Sequence, residues 1–234
     1  MVNWQDAAKR RAAQEAVKWV RDGQIVGLGT GSTIYYALEE LGRRIRTENL
    51  QIHGVSTSTQ SSHVATRFNI PLVTLNQSPN IDIAIDGADQ VDPNFNLIKG
   101  MGGALTREKI VASAANTVII VVDETKMTPC LGRHQVVPIE VLPFAEPYII
   151  QRLKKRAKQI VRRIASDSQP FITDNANYIL DADFGEINDS ESLEKSIKNL
   201  PGVIEVGLFT NMTDILCVGK QKTVEIYYKT TARE

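Results

Sequence analysis

Cysteine is scarce in this chain: Cys130 and Cys217 are the only two in 234 residues. They form no CxxC pair and no disulfide framework, which fits a reducing compartment and two buried structural thiols. Histidine is equally thin. His53, His63 and His134 are scattered without metal-ligand spacing, so no metal is expected. Net charge is missing too, since Lys plus Arg and Asp plus Glu each number 27. Nucleic acid and anionic membranes select a basic surface, so neither is expected as a partner, and any anion site must be local. No apolar run approaches the roughly 20 residues that span a bilayer. The opening Met-Val-Asn-Trp-Gln-Asp lacks the apolar core of a signal peptide, and the expected location is the cytoplasm. Internal repeats and low-complexity tracts are absent.

What is present is a core. Hydrophobic residues make up 42% of the chain, enough for one large domain with or without a smaller lobe. Apolar spacing predicts helices over 5–21, 33–46, 60–69 and 104–115, and strands over 25–28, 52–56, 72–75, 81–85 and 117–122. Strands alternating with helices imply an α/β fold with a doubly wound, mostly parallel, Rossmann-like sheet. Ligands of such sheets bind beyond the carboxyl ends of the strands. After Gly132 the pattern changes to a strand over 136–141, a long basic helix over 147–164, a hairpin around Asp174-Asn175-Ala176-Asn177, a helix over 190–199 and a strand over 203–209. That β-α-β-β-α-β order predicts a second, smaller ferredoxin-like α+β lobe. The strands 215–218 and 224–227 are expected to return to the first sheet. The predicted domains are therefore 1–131 with 212–234, and 132–211. The basic helix is read as a solvated face, because no aromatic residues interleave with its charges.

Two segments bear chemistry. Gly27-Leu28-Gly29-Thr30-Gly31-Ser32-Thr33 joins a strand to a helix. Glycines let backbone approach a ligand, and the helix start offers free N–H groups, so the turn reads either as a phosphate cradle or as a tight turn with a Ser or Thr cap. Ser32 stands where a dinucleotide fingerprint needs its third glycine, and no P-loop Lys follows, so a small phosphate ester fits better than a nucleotide. Val55-Ser56-Thr57-Ser58-Thr59 offers a second hydroxyl-rich turn, or ordinary capping.

The second segment is Asp86-Gly87-Ala88-Asp89, followed by Lys99-Gly100-Met101-Gly102-Gly103 and then Glu108 early in a helix. Carboxylates past a strand either bind sugar hydroxyls and move protons or merely cap backbone. An ammonium beside close-approach backbone can steady an oxyanion, and the other reading of Lys99 is an exposed surface lysine. Glu108 alone would read as a helix-dipole partner, but with Lys99 it reads as a base. Lys126, in Asp123-Glu124-Thr125-Lys126, is placed at the same sheet edge, although as a lone residue it reads as a solvated lysine.

These residues resemble ribose-5-phosphate isomerase, type A. The likeness rests on Gly27 to Thr33, Ile85 to Asp89, Lys99 to Lys109, Asp123 to Lys126 and Pro201 to Phe209, in order, and runs from about Lys9 to the C-terminus. It implies interconversion of D-ribose 5-phosphate and D-ribulose 5-phosphate through an enediolate, in the pentose phosphate pathway, without metal or cofactor. By the same resemblance Glu108 is the general base, Asp86 assists ring opening and Lys99 stabilises the enediolate. Lys9, Thr30, Gly31, Ser32, Thr33, Asp86, Gly87, Ala88, Asp89, Lys99, Gly100, Met101, Gly102 and Lys126 match substrate-binding segments. Met101 departs from the glycine often found there. It is tolerable if only its N–H acts, and costs about 1–2 kcal/mol if positive φ is needed. A homodimer or homotetramer is implied, with the small lobe as the contact.

Two other classes compete. A sugar-phosphate sensor domain would bind without turnover, and the absence of a basic helix-turn-helix before Trp4 speaks against it. A nucleotide- or coenzyme A-dependent enzyme is weakened by Ser32 and the missing P-loop Lys.

Overall fold

The computed structural model describes residues 4–229. Residues 1–3 and 230–234, which the sequence reading assigned to the signal-free opening and to the first domain, lie outside the described residues. The chain forms two compact units: residues 1–88, 107–126 and 212–234, and residues 89–106 with 127–211.

The first unit holds strands β1 (Ile25–Leu28), β2 (His53–Ser56), β3 (Ile81–Asp86), β6 (Ala115–Asp123), β12 (Ile215–Gly219) and β13 (Val224–Tyr228), in the order β13-β12-β6-β3-β1-β2. All pair in parallel except the edge pair β12–β13. The inner strands β6 and β12 are buried on both faces and are near-continuous Val, Ile and Leu runs, as a covered parallel sheet requires, whereas the edge strands β2 and β13 are partly exposed. From β1 the chain steps out to β2 and then returns to β3 on the other side of β1. The carboxyl ends of β1 and β3 are thus the point where strand order reverses, the usual ligand crevice of such a sheet.

Helices α1 (Trp4–Val17), α2 (Ser32–Glu48) and α3 (Thr59–Arg67) supply Ala12, Ala16, Leu38, Leu41 and Ala65 to one core, which packs on Ile83, Ile85, Ile119, Val121 and Cys217. Burial pushes the Cys217 thiol up to about 12. Helix α4 (Leu105–Ala114) packs through Val111: its Cγ1 lies 2.5 Å from where a Cβ on Gly27 would sit, and Ala84 Cβ lies 2.9 Å from that point. Only a glycine in β1 leaves room for that contact. As a crossover helix, α4 runs against the strands, so its first turn lies at their carboxyl edge.

The second unit holds β7 (Val137–Val141), α5 (Glu146–Leu153), β8 (Gln159–Arg162), β9 (Tyr178–Asp183), α6 (Ser190–Lys198) and β10 (Val203–Val206). Their antiparallel order β10-β7-β9-β8 is the ferredoxin-like arrangement expected. A three-stranded sheet adds β4 (Gln90–Val91), β5 (Leu97–Ile98) and β11 (Leu208–Phe209). Ile98 and Leu208 join the core of Val137, Ile139, Ile149, Leu180 and Ile197, which is why 89–106 packs here although the sequence reading had it in the first domain.

Four expectations need correction. Residues 72–75 form no strand: Leu72 makes a single bridge to Gly54, and the Gln77 carboxamide oxygen then captures the Thr74 N–H at 2.9 Å. The long helix over 147–164 stops at Leu153 and gives way to β8. Like charges one turn apart, Arg152 with Arg156 and Lys154 with Lys158, oppose a helix there, while Ile160 and Val161 favour a strand. The hairpin around 174–177 keeps its turn, but its first arm is one bridge from Ile172 to Tyr178, and β9 pairs instead with β7 and β8. The strand over 203–209 breaks at Gly207, whose backbone bonds Pro138 and Lys99 and sends β10 and β11 to different sheets.

Gly27→Ala tests the packing that places α4. The added methyl must displace Val111 or Ala84, and a loss of about 1–3 kcal/mol in denaturant unfolding is expected. Unchanged stability would contradict this account of α4.

Candidate active site

The first unit presents its polar residues at the carboxyl edge of β1, β3 and β6. Gly29 follows β1 and touches Asp86 at the end of β3 so closely that a Cβ on Gly29 would fall 2.1 Å from Asp86 Oδ1. That oxygen accepts the N–H of Thr30 at 3.2 Å and of Gly87 at 2.7 Å. The backbone therefore fixes the carboxylate, as the capping reading of Asp86 required, and does so at the switch point. Thr30 Oγ1 meets Thr57 Oγ1 at 2.8 Å and Ser58 Oγ at 2.7 Å, so the two hydroxyl-rich turns form one cluster.

The two turns divide on the capping question. Ser58 caps α3 in a full capping box with Ser61, which is the ordinary reading of that turn. Helix α2, by contrast, starts behind Gly31 at φ 118° with no side-chain cap. The hydroxyls of Ser32 and Thr33 are thus not used as caps, and the helix start keeps the free N–H groups that suit an anion. Lys9 Nζ donates to Ser32 Oγ at 3.3 Å, which brings an ammonium to this turn. Lys126 ends a short 3₁₀ helix (Glu124–Lys126) directly after β6, at the same edge; Asp123 folds that turn by accepting the Thr125 N–H at 3.0 Å.

Glu108 lies three positions before Val111, on the same face of α4 and about 4.5 Å nearer the helix start. Val111 meets the sheet beside Gly27 and Ala84, so Glu108 is turned toward the sheet at its carboxyl edge. In β3, Asp86 shares the face of Ala84, because side chains alternate. Both carboxylates are buried, Asp86 at 6% exposure and Glu108 at 5%.

In the second unit, Lys99 follows β5, is 3% exposed, and holds its Nζ 5.5 Å from the centre of the Phe209 ring. Its N–H donates to the Gly207 carbonyl at 2.9 Å. The bend after it needs positive φ at Gly100 (102°) and Gly103 (79°), but not at Met101, so the methionine there is unstrained. Met101 donates its N–H to Asp89 Oδ2 at 3.0 Å, which makes Asp89 a brace of the bend.

Five contributors were not singled out in the sequence. Gly29 and Thr57 lie inside turns that were recognised, and close approach is invisible without the partner strand. Glu140 is fully buried and accepts hydrogen bonds from Thr106, Thr173, Asn175 and Asn177. It holds Thr106 in the first turn of α4. Arg163 and Asp181 form an ion pair behind the glycine bend. Among the described residues no group of His, Cys, Asp and Glu could hold a metal ion, and no helix is long and apolar enough to cross a membrane.

Residues 53–223 match the family model described as Ribose 5-phosphate isomerase A (phosphoriboisomerase A). Ribose-5-phosphate isomerase A of Methanoregula boonei is 48% identical over 223 residues, covering 94% of this chain and 93% of that protein. The protein of that name from Pyrococcus horikoshii is 45% identical over 219 residues, covering 93% and 96%. Among solved structures, a D-ribose-5-phosphate isomerase in complex with phospho-erythronic acid superposes with a TM-score of 0.94 at 42% identity, over 96% of this chain and 99% of that one. Ribose 5-phosphate isomerase A from Methanocaldococcus jannaschii gives 0.91 at 43% identity, over 95% and 99%. With the fold, the switch-point carboxylates and these relatives in agreement, the chain belongs to the ribose 5-phosphate isomerase A family.

Proposed function

We propose that this chain interconverts D-ribose 5-phosphate and D-ribulose 5-phosphate, an aldose–ketose isomerisation through an enediolate. The protein is an isomerase. The observation that carries the reading is the pair of buried carboxylates, Asp86 and Glu108, on one face of the sheet at its switch point. The family membership adds the substrate.

The reaction moves one proton from C2 of the open-chain aldose to C1. Glu108 is the base that takes and returns it, a role worth about 10²–10⁴-fold in rate. Asp86 handles the ring oxygen and the hydroxyl protons, and its backbone clamp keeps it in one orientation. Lys99 stabilises the charge that develops on oxygen in the enediolate. Thr30, Gly31, Ser32 and Thr33, with Lys9 and Lys126, hold the phosphate, and that remote binding orients the reacting carbons. Gly87, Ala88, Asp89, Gly100, Met101 and Gly102 complete the contacts with the sugar. The solved relative that holds phospho-erythronic acid binds a phosphorylated sugar acid, the ligand class this reading requires.

The reaction belongs to the pentose phosphate pathway and to the cytoplasm. The assembly is a homodimer or homotetramer through the smaller lobe. In support, that lobe exposes Phe144 at 93%, beside Leu142 and Tyr148, more apolar surface than a lone segment needs. The sensor alternative finds no support among the relatives.

Glu108→Gln is expected to lower kcat by about 10²–10⁴-fold while KM for ribose 5-phosphate stays within a few-fold. Steady-state assays decide it, and wild-type turnover would refute the base. Lys126→Ala should instead raise KM by about tenfold or more, the value of one charge-assisted hydrogen bond to phosphate. An unchanged KM would remove Lys126 from the phosphate site.

A further inference from the structure

Arg163 stood in a run that the sequence suggested was a solvated basic face. In the fold it follows β8, and its side chain is only 11% exposed. Its guanidinium forks onto Asp181, with Nε donating to Oδ2 at 2.9 Å and Nη2 donating to Oδ1. The ring of Phe171 lies 5.8 Å from its Cζ. The remaining arm, Nη1, donates to two backbone carbonyls, Gly100 at 2.8 Å and Met101 at 3.0 Å. These carbonyls belong to the two residues directly after Lys99.

The consequence follows from peptide geometry. In a trans peptide the carbonyl and the next N–H point in opposite directions, and the described chain has no cis bond. With the Gly100 carbonyl on Arg163, the Met101 N–H points away from it, and Asp89 Oδ2 is there to accept it at 3.0 Å. With the Met101 carbonyl also on Arg163, the Gly102 N–H must likewise point away from the guanidinium, and Gly102 is exposed. Arg163 and Asp89 thus grip the bend from opposite sides and leave one outward donor. Phe171 closes the next position: a Cβ on Gly103 would fall 2.4 Å from its Cζ. A surface arginine would cost side-chain entropy to hold this way for little return, whereas a half-dry, bidentate arginine facing two carbonyls is a built support.

We propose that Arg163, locked by Asp181, is a positioning residue for substrate binding: it holds the 100–102 bend so that the Gly102 N–H donates to an oxygen of the sugar phosphate. This rests on the reading of the chain as a sugar-phosphate isomerase whose Lys99–Gly102 segment touches substrate. If the bend is competent only part of the time, apparent affinity falls by that fraction. Loss of the guanidinium therefore appears in KM, which a partly unfolded sample does not alter.

The test compares wild type, Arg163→Lys, Arg163→Met and Asp181→Asn with ribose 5-phosphate, with folding followed by circular dichroism. KM is expected to rise by about tenfold or more in Arg163→Met, and less in Arg163→Lys and Asp181→Asn, which keep a cation. The Lys and Asn variants keep the test alive should the Met variant fail to fold. Wild-type KM in any folded Arg163 variant would overturn the positioning role while leaving the isomerase reading intact. A wild-type protein without turnover would overturn both.

Discussion

The close approach of β1 and β3 at their carboxyl ends is the constraint on which the first unit depends. Gly29 and Asp86 occupy space that a single methyl group would make unavailable. Because the strands meet there, the Asp86 carboxylate receives the N–H of Thr30 and is held at one orientation. Because Thr30 is so placed, its hydroxyl ties the first turn to Thr57 and Ser58. Two residues earlier, within β1, Gly27 makes room for Val111 and so fixes the helix that bears Glu108. Two glycines spaced by one residue, Gly27 in β1 and Gly29 just past its end, thus set both carboxylates on the same face of the sheet.

Burial of these groups is costly unless the charge is paired or put to use. Asp86, Lys99 and Glu108 are each almost fully removed from solvent. A structural core needs no such residues, and of the three, Asp86 and Glu108 lie at the switch point of the first unit's sheet, where buried titratable groups are the usual mark of a reacting centre. Glu140 shows the other way to keep a buried carboxylate, by surrounding it with the side chains of Thr106, Thr173, Asn175 and Asn177. Its role is to tie together the segments that carry those four side chains.

Much of this was legible in the sequence. The α/β alternation, the ferredoxin-like order after Gly132, and the motifs at 27–33, 85–89 and 99–109 are local patterns, and local patterns survive in one dimension. What could not be read depends on partners distant in the chain. The strand at 72–75 lost to one side chain, Gln77. The run 147–164 looked helical because its charges are regular, but β9 offered Ile160 and Val161 a strand to pair with. The β4–β5–β11 sheet consists of two-residue strands, too short to leave any periodicity. Arg163 is the same lesson at a functional segment: among several basic neighbours, nothing in the sequence marks the one that faces inward.

The central claim is that Glu108 carries a proton between two carbons of a sugar phosphate. The most direct measurement is turnover of ribose 5-phosphate in deuterated water by the chelator-treated protein, with the label located in the product by NMR. The account predicts ribulose 5-phosphate with solvent deuterium at C1 of part of the product, to the extent that the proton on Glu108 exchanges before it returns, and loss of both ketose and label in Glu108→Gln. Ketose formed by Glu108→Gln at the wild-type rate with the same labelling would contradict the role assigned to Glu108.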